Sequence, residues 1–254
     1  MDKMPASIFN DVIGPVMRGP SSSHVAGAAR IASVVRQSVG GAPRRVIVDF
    51  DVNGSLAASH DGHGTDMGFV CGILGKEITE PDVDRYAALA QEAGVEVEFR
   101  ILDYGAAHPN NYRMEVWGRG GEHHLWEGVS VGGGMIEMRR CDGFPVSICG
   151  DFYEVLARFP EARGAARMSN AVTNFPDGKR KQLRICLSLA CHPSTGDIIG
   201  FTYTQDITEE KLDAYALQSI VNHDYELMAR VDLRDGSYVM FLQAESERML
   251  IDKP

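Results

Sequence analysis

Gly19-Pro20-Ser21-Ser22-Ser23-His24, followed by the small-residue run Val25-Ala26-Gly27-Ala28-Ala29-Arg30, is the stretch from which the fold is read outward. Pro20 stiffens the approach and three hydroxyls stand where a helix begins. Ala28, Ile31, Ala32, Val35 and Val39 then recur at helical spacing until Gly40-Gly41 stops the run. One serine is enough to cap a helix, so Ser21, Ser22 and Ser23 followed by His24 offer more hydrogen-bonding groups than capping uses. The unpaired amides and the dipole of that end favour an anion. Two readings stand at this point: a well-capped helix, or a pocket for a small carboxylate.

Beyond the helix, Val46, Val48, Phe50 and Val52 alternate as on a half-buried strand that runs into the loop Asn53 to Gly64. Thr65 is placed to cap a helix over 66–74 with Asp66 in its first turn, and Pro81-Asp82 opens another through Gln91. Val95 to Ile101 alternates with charged residues, Tyr112 to Trp117 reads as a strand, and Gly118 to Glu122 as a hairpin turn. The returning strand reaches Val129-Ser130-Val131, where Gly132-Gly133-Gly134 breaks it before Met135 to Arg140. This order predicts an α+β fold, a mixed sheet with helices on one face, over residues 1–155. Residues 156–182 read as a linker with some helix, and 183–254 as a smaller α+β region. That region carries strands at Leu183 to Leu189 and Ile198 to Thr204, a helix capped by Thr208, and a hairpin from Leu227 to Leu242.

The chain has 254 residues, with 44 % hydrophobic and 24 % charged residues, which is ordinary globular composition. A formal net charge of -10 repels a phosphate backbone and argues against nucleic-acid binding. No apolar run is long enough for a bilayer, and Met1 to Pro5 lacks the layout of a secretion signal, so a cytoplasmic location is expected. Cys71, Cys141, Cys149, Cys186 and Cys191 include no C-x-x-C pair, so buried thiols are expected rather than disulfides or a metal held by this chain alone.

Chemistry-bearing residues gather in three loops and one strand end: Ser21-Ser22-Ser23-His24, Gly62-His63-Gly64-Thr65-Asp66, His108-Pro109-Asn110, and Ser130. His63 lies between glycines with no neighbouring side chain to pack on, and Asp66 is near enough in sequence to orient or charge it. Pro109 holds His108 extended, and Asn110 offers both a donor and an acceptor. His60, His123 and His124 have no such surroundings and read as structural. Hydroxyls, imidazoles and an amide suit a small zwitterion such as an amino acid. A nucleotide is disfavoured, since the chain has neither G-x-G-x-x-G after a strand nor a Walker-type loop.

Phe9 to Met17 leading into Gly19-Pro20-Ser21-Ser22-Ser23-His24, then Gly62 to Asp66, His108-Pro109-Asn110 and Ser130 to Gly134, in that order, resembles the β chain of iron–sulfur-dependent bacterial L-serine dehydratase. The resemblance spans residues 8–150. It implies β-elimination of L-serine to pyruvate and ammonia, with a [4Fe-4S] cluster serving as Lewis acid on the leaving hydroxyl. The cluster's cysteine ligands would belong to a partner α chain, with none contributed here. By the same resemblance Ser21, Ser22 and Ser23 with His24 would bind the substrate carboxylate. His63, His108 and Asp66 would be catalytic, with Thr65, Asn110 and Ser130 lining the site. Which histidine moves which proton is left open, as is homo-oligomerisation.

Val25 stands where many members of that family carry threonine, and residues 183–242 do not resemble the ACT domain that ends many such β chains. Gly200 to Lys211 resembles the last strand and exit helix of a PAS sensor module, and Asp224 to Leu242 the opening strands of a second one. A ligand-sensing regulatory protein built on the same binding domain is therefore the alternative to an enzyme subunit. A hydrolase using Ser23 and His24 is disfavoured, because adjacent residues at a helix start do not point at each other and no G-x-S-x-G is present.

Overall fold

The computed structural model describes residues 15–150, with side chains except at 144 and 145, and beyond them the backbone of strands between 154 and 242. The chain divides into two compact units, Met1–Asp151 with Ala244–Pro254, and Phe152–Gln243.

In the first unit α1 (Ser22–Ser38) leads to β1 (Arg45–Asp51), α2 (Thr65–Leu74), a 3-10 turn (Val83–Arg85), α3 (Tyr86–Glu92) and β2 (Glu96–Leu102). Then come β3 (Asn111–Trp117), β4 (His123–Gly132), β5 (Met135–Cys141) and β6 (Phe144–Ile148). The six strands form one sheet in the order β2-β1-β3-β4-β5-β6. β1 and β2 run parallel, with Val46 opposite Val97 and Phe50 opposite Ile101, because α2 and α3 carry the chain back between them. The other neighbours are antiparallel, so the sheet is mixed and the fold α+β, as the element order predicts.

Helical periodicity buries Val25, Ala28, Ile31, Ala32 and Val35 of α1, while Tyr112, Met114 and Val116 of β3 point to the same core. α1 lies over β4 and β5, where the Trp126 indole N–H donates to the Ser38 hydroxyl at 3.1 Å. α2 lies toward β1 and β2: Phe69 meets Phe99 edge-on at 5.9 Å, and Phe50 stacks on Phe99 at 6.0 Å. The two helices touch backbone to backbone. A Cβ on Gly68 would stand 2.3 Å from the Val25 carbonyl oxygen, and one on Gly72 2.1 Å from that of Ala29. No larger residue fits at either position without moving a helix.

The opposite sheet face carries charge. Asp49, 5 % exposed, is held by Arg100 Nε at 2.7 Å and Arg113 Nη2 at 2.9 Å, so its burial leaves no unpaired anion. Arg45 pairs with Glu98 at 2.8 Å, and His123 with Glu115 at 2.8 Å. Among the described residues no helix is long and apolar enough to cross a membrane.

The second unit contains β7 (Glu154–Phe159), β8 (Thr173–Asn174), β9 (Arg180–Lys181), β10 (Ser188–Cys191), β11 (Ile198–Tyr203) and β12 (Tyr238–Leu242). Four of them form an antiparallel sheet, β10-β11-β7-β12. Residues 156–159, read from sequence as the start of a linker, are an inner strand here, with Leu156 opposite both Phe201 and Met240. The strand expected over Leu183 to Leu189 is found at Ser188–Cys191, and the hairpin strand ending at Leu242 at Tyr238–Leu242. The helix expected from Thr208 and the strand over Leu227 to Leu233, which carry much of the PAS resemblance, lie outside the described residues, as do Phe9 to Gly14.

Candidate functional site

The loops that leave the C-terminal ends of the parallel strands β1 and β2 carry the polar motifs, the usual place for ligand-binding loops in such sheets. The start of α1 and the end of β4 approach the same place. Ser130, 4 % exposed, packs on α1 where Gly27 leaves room: a Cβ there would be 2.8 Å from the Ser130 hydroxyl oxygen. Gly27 is three residues beyond His24, so both lie on one face of α1. Gly64 sits against Val25 and Pro20, which brings the His63 loop to the start of the helix.

At that junction the His24 and His63 rings lie 4.8 Å apart, tilted. Ser21 is the N-cap of α1, yet its side chain makes no capping bond; its hydroxyl meets His24 Nδ1 at 2.6 Å. Partial burial, with the neighbouring His63 adding to it, holds His24 below the ordinary imidazole value of 6.5 and favours the neutral ring. His63 Nδ1 is buried with no hydrogen-bond partner among the described residues. Ser22 and Ser23 occupy the first turn, partly buried.

The sequence expectation that Asp66 orients His63 is not met, for Asp66 Oδ1 pairs with His60 Nδ1 at 2.7 Å. The loop folds turn upon turn, with the His63 N–H on the Ser59 carbonyl and the Thr65 N–H on that of His60, and this brings His60 back to the start of α2. His60 is thus a hydrogen-bonded and packed residue of the fold. Its ring packs on Phe50 at 4.9 Å and Phe99 at 5.9 Å. Burial raises the Asp66 carboxyl pKa, with the His60 hydrogen bond opposing. Thr65 does not cap the helix either: Gly64, at φ +75°, takes the N-cap, and Thr65 is the first helical residue. The Thr65 side chain is fully buried beside Tyr112, and neither hydroxyl has a well-formed hydrogen bond among the described residues. Burial drives the Tyr112 hydroxyl well above its usual pKa.

His108 and Asn110 lie on a turn that the chain grips from several sides. The Asn110 N–H donates to His108 Nδ1 at 3.1 Å, which leaves the proton of the neutral ring on Nε2. The Asn110 carbonyl accepts the Ser130 N–H at 3.0 Å, tying this turn to the end of β4. The Ser55 hydroxyl donates to Asn110 Oδ1, a contact with no signal in the motif pattern. Asp51, 3 % exposed, also escapes the motif reading, although its Asx turn to Asn53 (2.9 Å) follows the common Asp-x-Asn pattern. Backbone N–H groups of Ala106, Asn53 and Tyr104 hold its carboxyl below the usual carboxylate range.

Thus His24 and His63 are in ring contact, Ser130 joins the 108–110 turn by backbone and α1 by packing, and Asp66 faces away toward His60. Among the described residues no three His, Cys, Asp or Glu side chains gather as a metal ion requires. The buried Cys71 thiol is pushed up to about 11 by its burial and stays protonated, unsuited to ligate a cluster.

A family model described as "Serine dehydratase beta chain" matches residues 9–140. The "Probable L-serine dehydratase, beta chain" of Bacillus subtilis (strain 168) is 38% identical over 170 residues, covering 66% of this chain and 76% of the relative. The "L-serine dehydratase, beta chain" of Peptoniphilus asaccharolyticus is 38% identical over 158 residues, covering 61% of this chain and 69% of that one.

Proposed function

This chain belongs to the serine dehydratase β-chain family, and from that membership we propose that it is the β subunit of an L-serine ammonia-lyase, acting with an α chain that carries a [4Fe-4S] cluster. Elimination takes the α-proton of L-serine and expels the β-hydroxyl as water; the aminoacrylate left behind becomes an imine and hydrolyses to pyruvate and ammonia. The cluster, held by the α chain, would supply Lewis acidity toward the departing hydroxyl. Among the described residues of this chain no ligand set for such a group gathers, and the protonated Cys71 thiol does not suit one.

What this chain contributes is binding and proton handling. The first turn of α1, with the free amides of Ser22 and Ser23, receives the substrate carboxylate. His24, His60 and His108 each have Nδ1 engaged, whereas His63 Nδ1 has no partner among the described residues. His63 is therefore the imidazole with Nδ1 left over for a ligand, and in this reading it carries the proton. His108 and Asn110 orient the substrate's oxygens, and Ser130 braces their turn. The observation that supports this reading best is the His24–His63 ring contact at the start of the helix.

The test is anaerobic formation of pyruvate from L-serine by the complex with an α chain. His63→Ala and His108→Ala should each lose turnover while the complex still assembles. Unchanged turnover in both variants overturns the assignment, and serine binding without turnover in the native complex favours a ligand-sensing protein.

A further inference from the structure

Asp51 closes β1 and gathers the two loops that leave the sheet beside it. Its Oδ1 accepts the Asn53 N–H at 2.9 Å, and its Oδ2 accepts those of Tyr104 at 3.1 Å and Ala106 at 2.9 Å. The loops then touch farther out: a Cβ on Gly54 would lie 2.7 Å from the Pro109 carbonyl oxygen. The Ser55 N–H donates to that oxygen at 2.9 Å. The Ser55 hydroxyl lies 3.2 Å from Pro109 O and closer to Asn110 Oδ1. It has one proton, and Asn110 Oδ1 is the nearer acceptor, so the hydroxyl proton goes there.

The side-chain acceptors of the turn, Asn110 Oδ1 and His108 Nδ1, are thereby engaged, as are the carbonyls of Pro109 and Asn110. Ser55 holds Pro109 O and Asn110 Oδ1, the Ser130 N–H holds Asn110 O, and the Asn110 N–H holds His108 Nδ1. The groups left over, Asn110 Nδ2–H and His108 Nε2–H, are donors. We infer that Ser55, anchored through the Asp51 loop junction, is a positioning residue that makes the side chains of the 108–110 turn present donors to the carboxylate or hydroxyl oxygens of the substrate. Without its hydroxyl the Asn110 amide is free to turn over and present an acceptor, which repels an anionic oxygen. The substrate assignment rests on the lyase reading above; the donor polarity of the turn does not.

In the complex with the α chain, Ser55→Ala should raise KM for L-serine about tenfold with little change in kcat, since bonds of equal strength in ground and transition state act on binding alone. Ser55→Thr, which keeps the hydroxyl, should restore it. In an Asn110→Ala background, Ser55→Ala should add nothing, because its effect passes through Asn110. Additive losses in the double variant, a native KM in Ser55→Ala, or failure of folded Ser55→Thr to rescue would each overturn the inference. A second arm needs no turnover: in the full chain labelled with 15N, the Asn110 side-chain NH2 signals, assigned with Asn110→Asp, should report a single amide orientation with Oδ1 toward Ser55. Ser55→Ala should mix in the turned-over amide. The same single orientation in both proteins overturns the inference even if the native complex proves inactive, whereas inactivity alone strikes the lyase reading.

Discussion

His24 and His63 are placed by two helices whose backbones touch, whereas His108 and Asn110 lie on a turn held by hydrogen bonds from two other segments, the loop after β1 and the end of β4. On the helix side position follows from contact: Gly68 and Gly72 leave no gap between α2 and the carbonyls of Val25 and Ala29. On the loop side position follows from direction, since each bond fixes which atom of the turn faces outward. Contact resists displacement steeply and is blind to polarity; hydrogen bonds yield more readily and select polarity. The proposed site, with a proton carrier at one place and groups that read oxygen atoms at another, would use each where it works.

The sharpest way to break this contrast is Gly72→Ala, whose new Cβ would stand 2.1 Å from the Ala29 carbonyl oxygen. The helices must part, and urea unfolding should show a loss of about 3 kcal/mol; an unchanged midpoint would mean the helix contact is compliant. Gly54→Ala places a Cβ 2.7 Å from the Pro109 carbonyl oxygen, but between loops that can separate. It should cost about 1 kcal/mol in the same measurement while lowering pyruvate formation by the proposed complex more than that loss explains. If Gly54→Ala destabilises as much as Gly72→Ala, the loop side is as rigid as the helix side.

A smaller effect follows from His24, whose folded pKa lies below 6.5. The folded state binds fewer protons than the unfolded chain, so this contribution to stability is complete above 6.5 and is lost as pH falls through that value toward the folded pKa. Thermal midpoints between about pH 7.5 and 5.5 should fall less steeply in His24→Gln than in the native protein. Least of all should come from Tyr112→Phe. The hydroxyl is buried without a well-formed hydrogen bond among the described residues, so its removal should change stability by no more than about 0.5 kcal/mol. A loss well above that would reveal a bonded water or group at Thr65.

How legible each part was follows from how local its cause is. The α1 stripe, the alternation of β3 and the break at Gly132-Gly133-Gly134, all three at positive φ, were readable because each element's own spacing generates them. β6 is short and contains Pro145, so its pairing with β5 had no periodic signature. The partner of Asp66 was misread because sequence proximity favoured His63, three residues away, over His60, six away. Turn geometry reversed that order. Ser55 was invisible for the same reason, as its partner lies 55 residues along the chain.

The sequence by itself determined which residue types were on offer, four polar segments in a family-like order, and the element types that carry them, since periodicity and turn chemistry act over a few residues. Tertiary structure alone decided which polar atoms are consumed by the protein and which remain for a ligand. That choice depends on the direction of hydrogen bonds between segments far apart in the chain, and direction is fixed only when the loops from β1 and β2 close on each other.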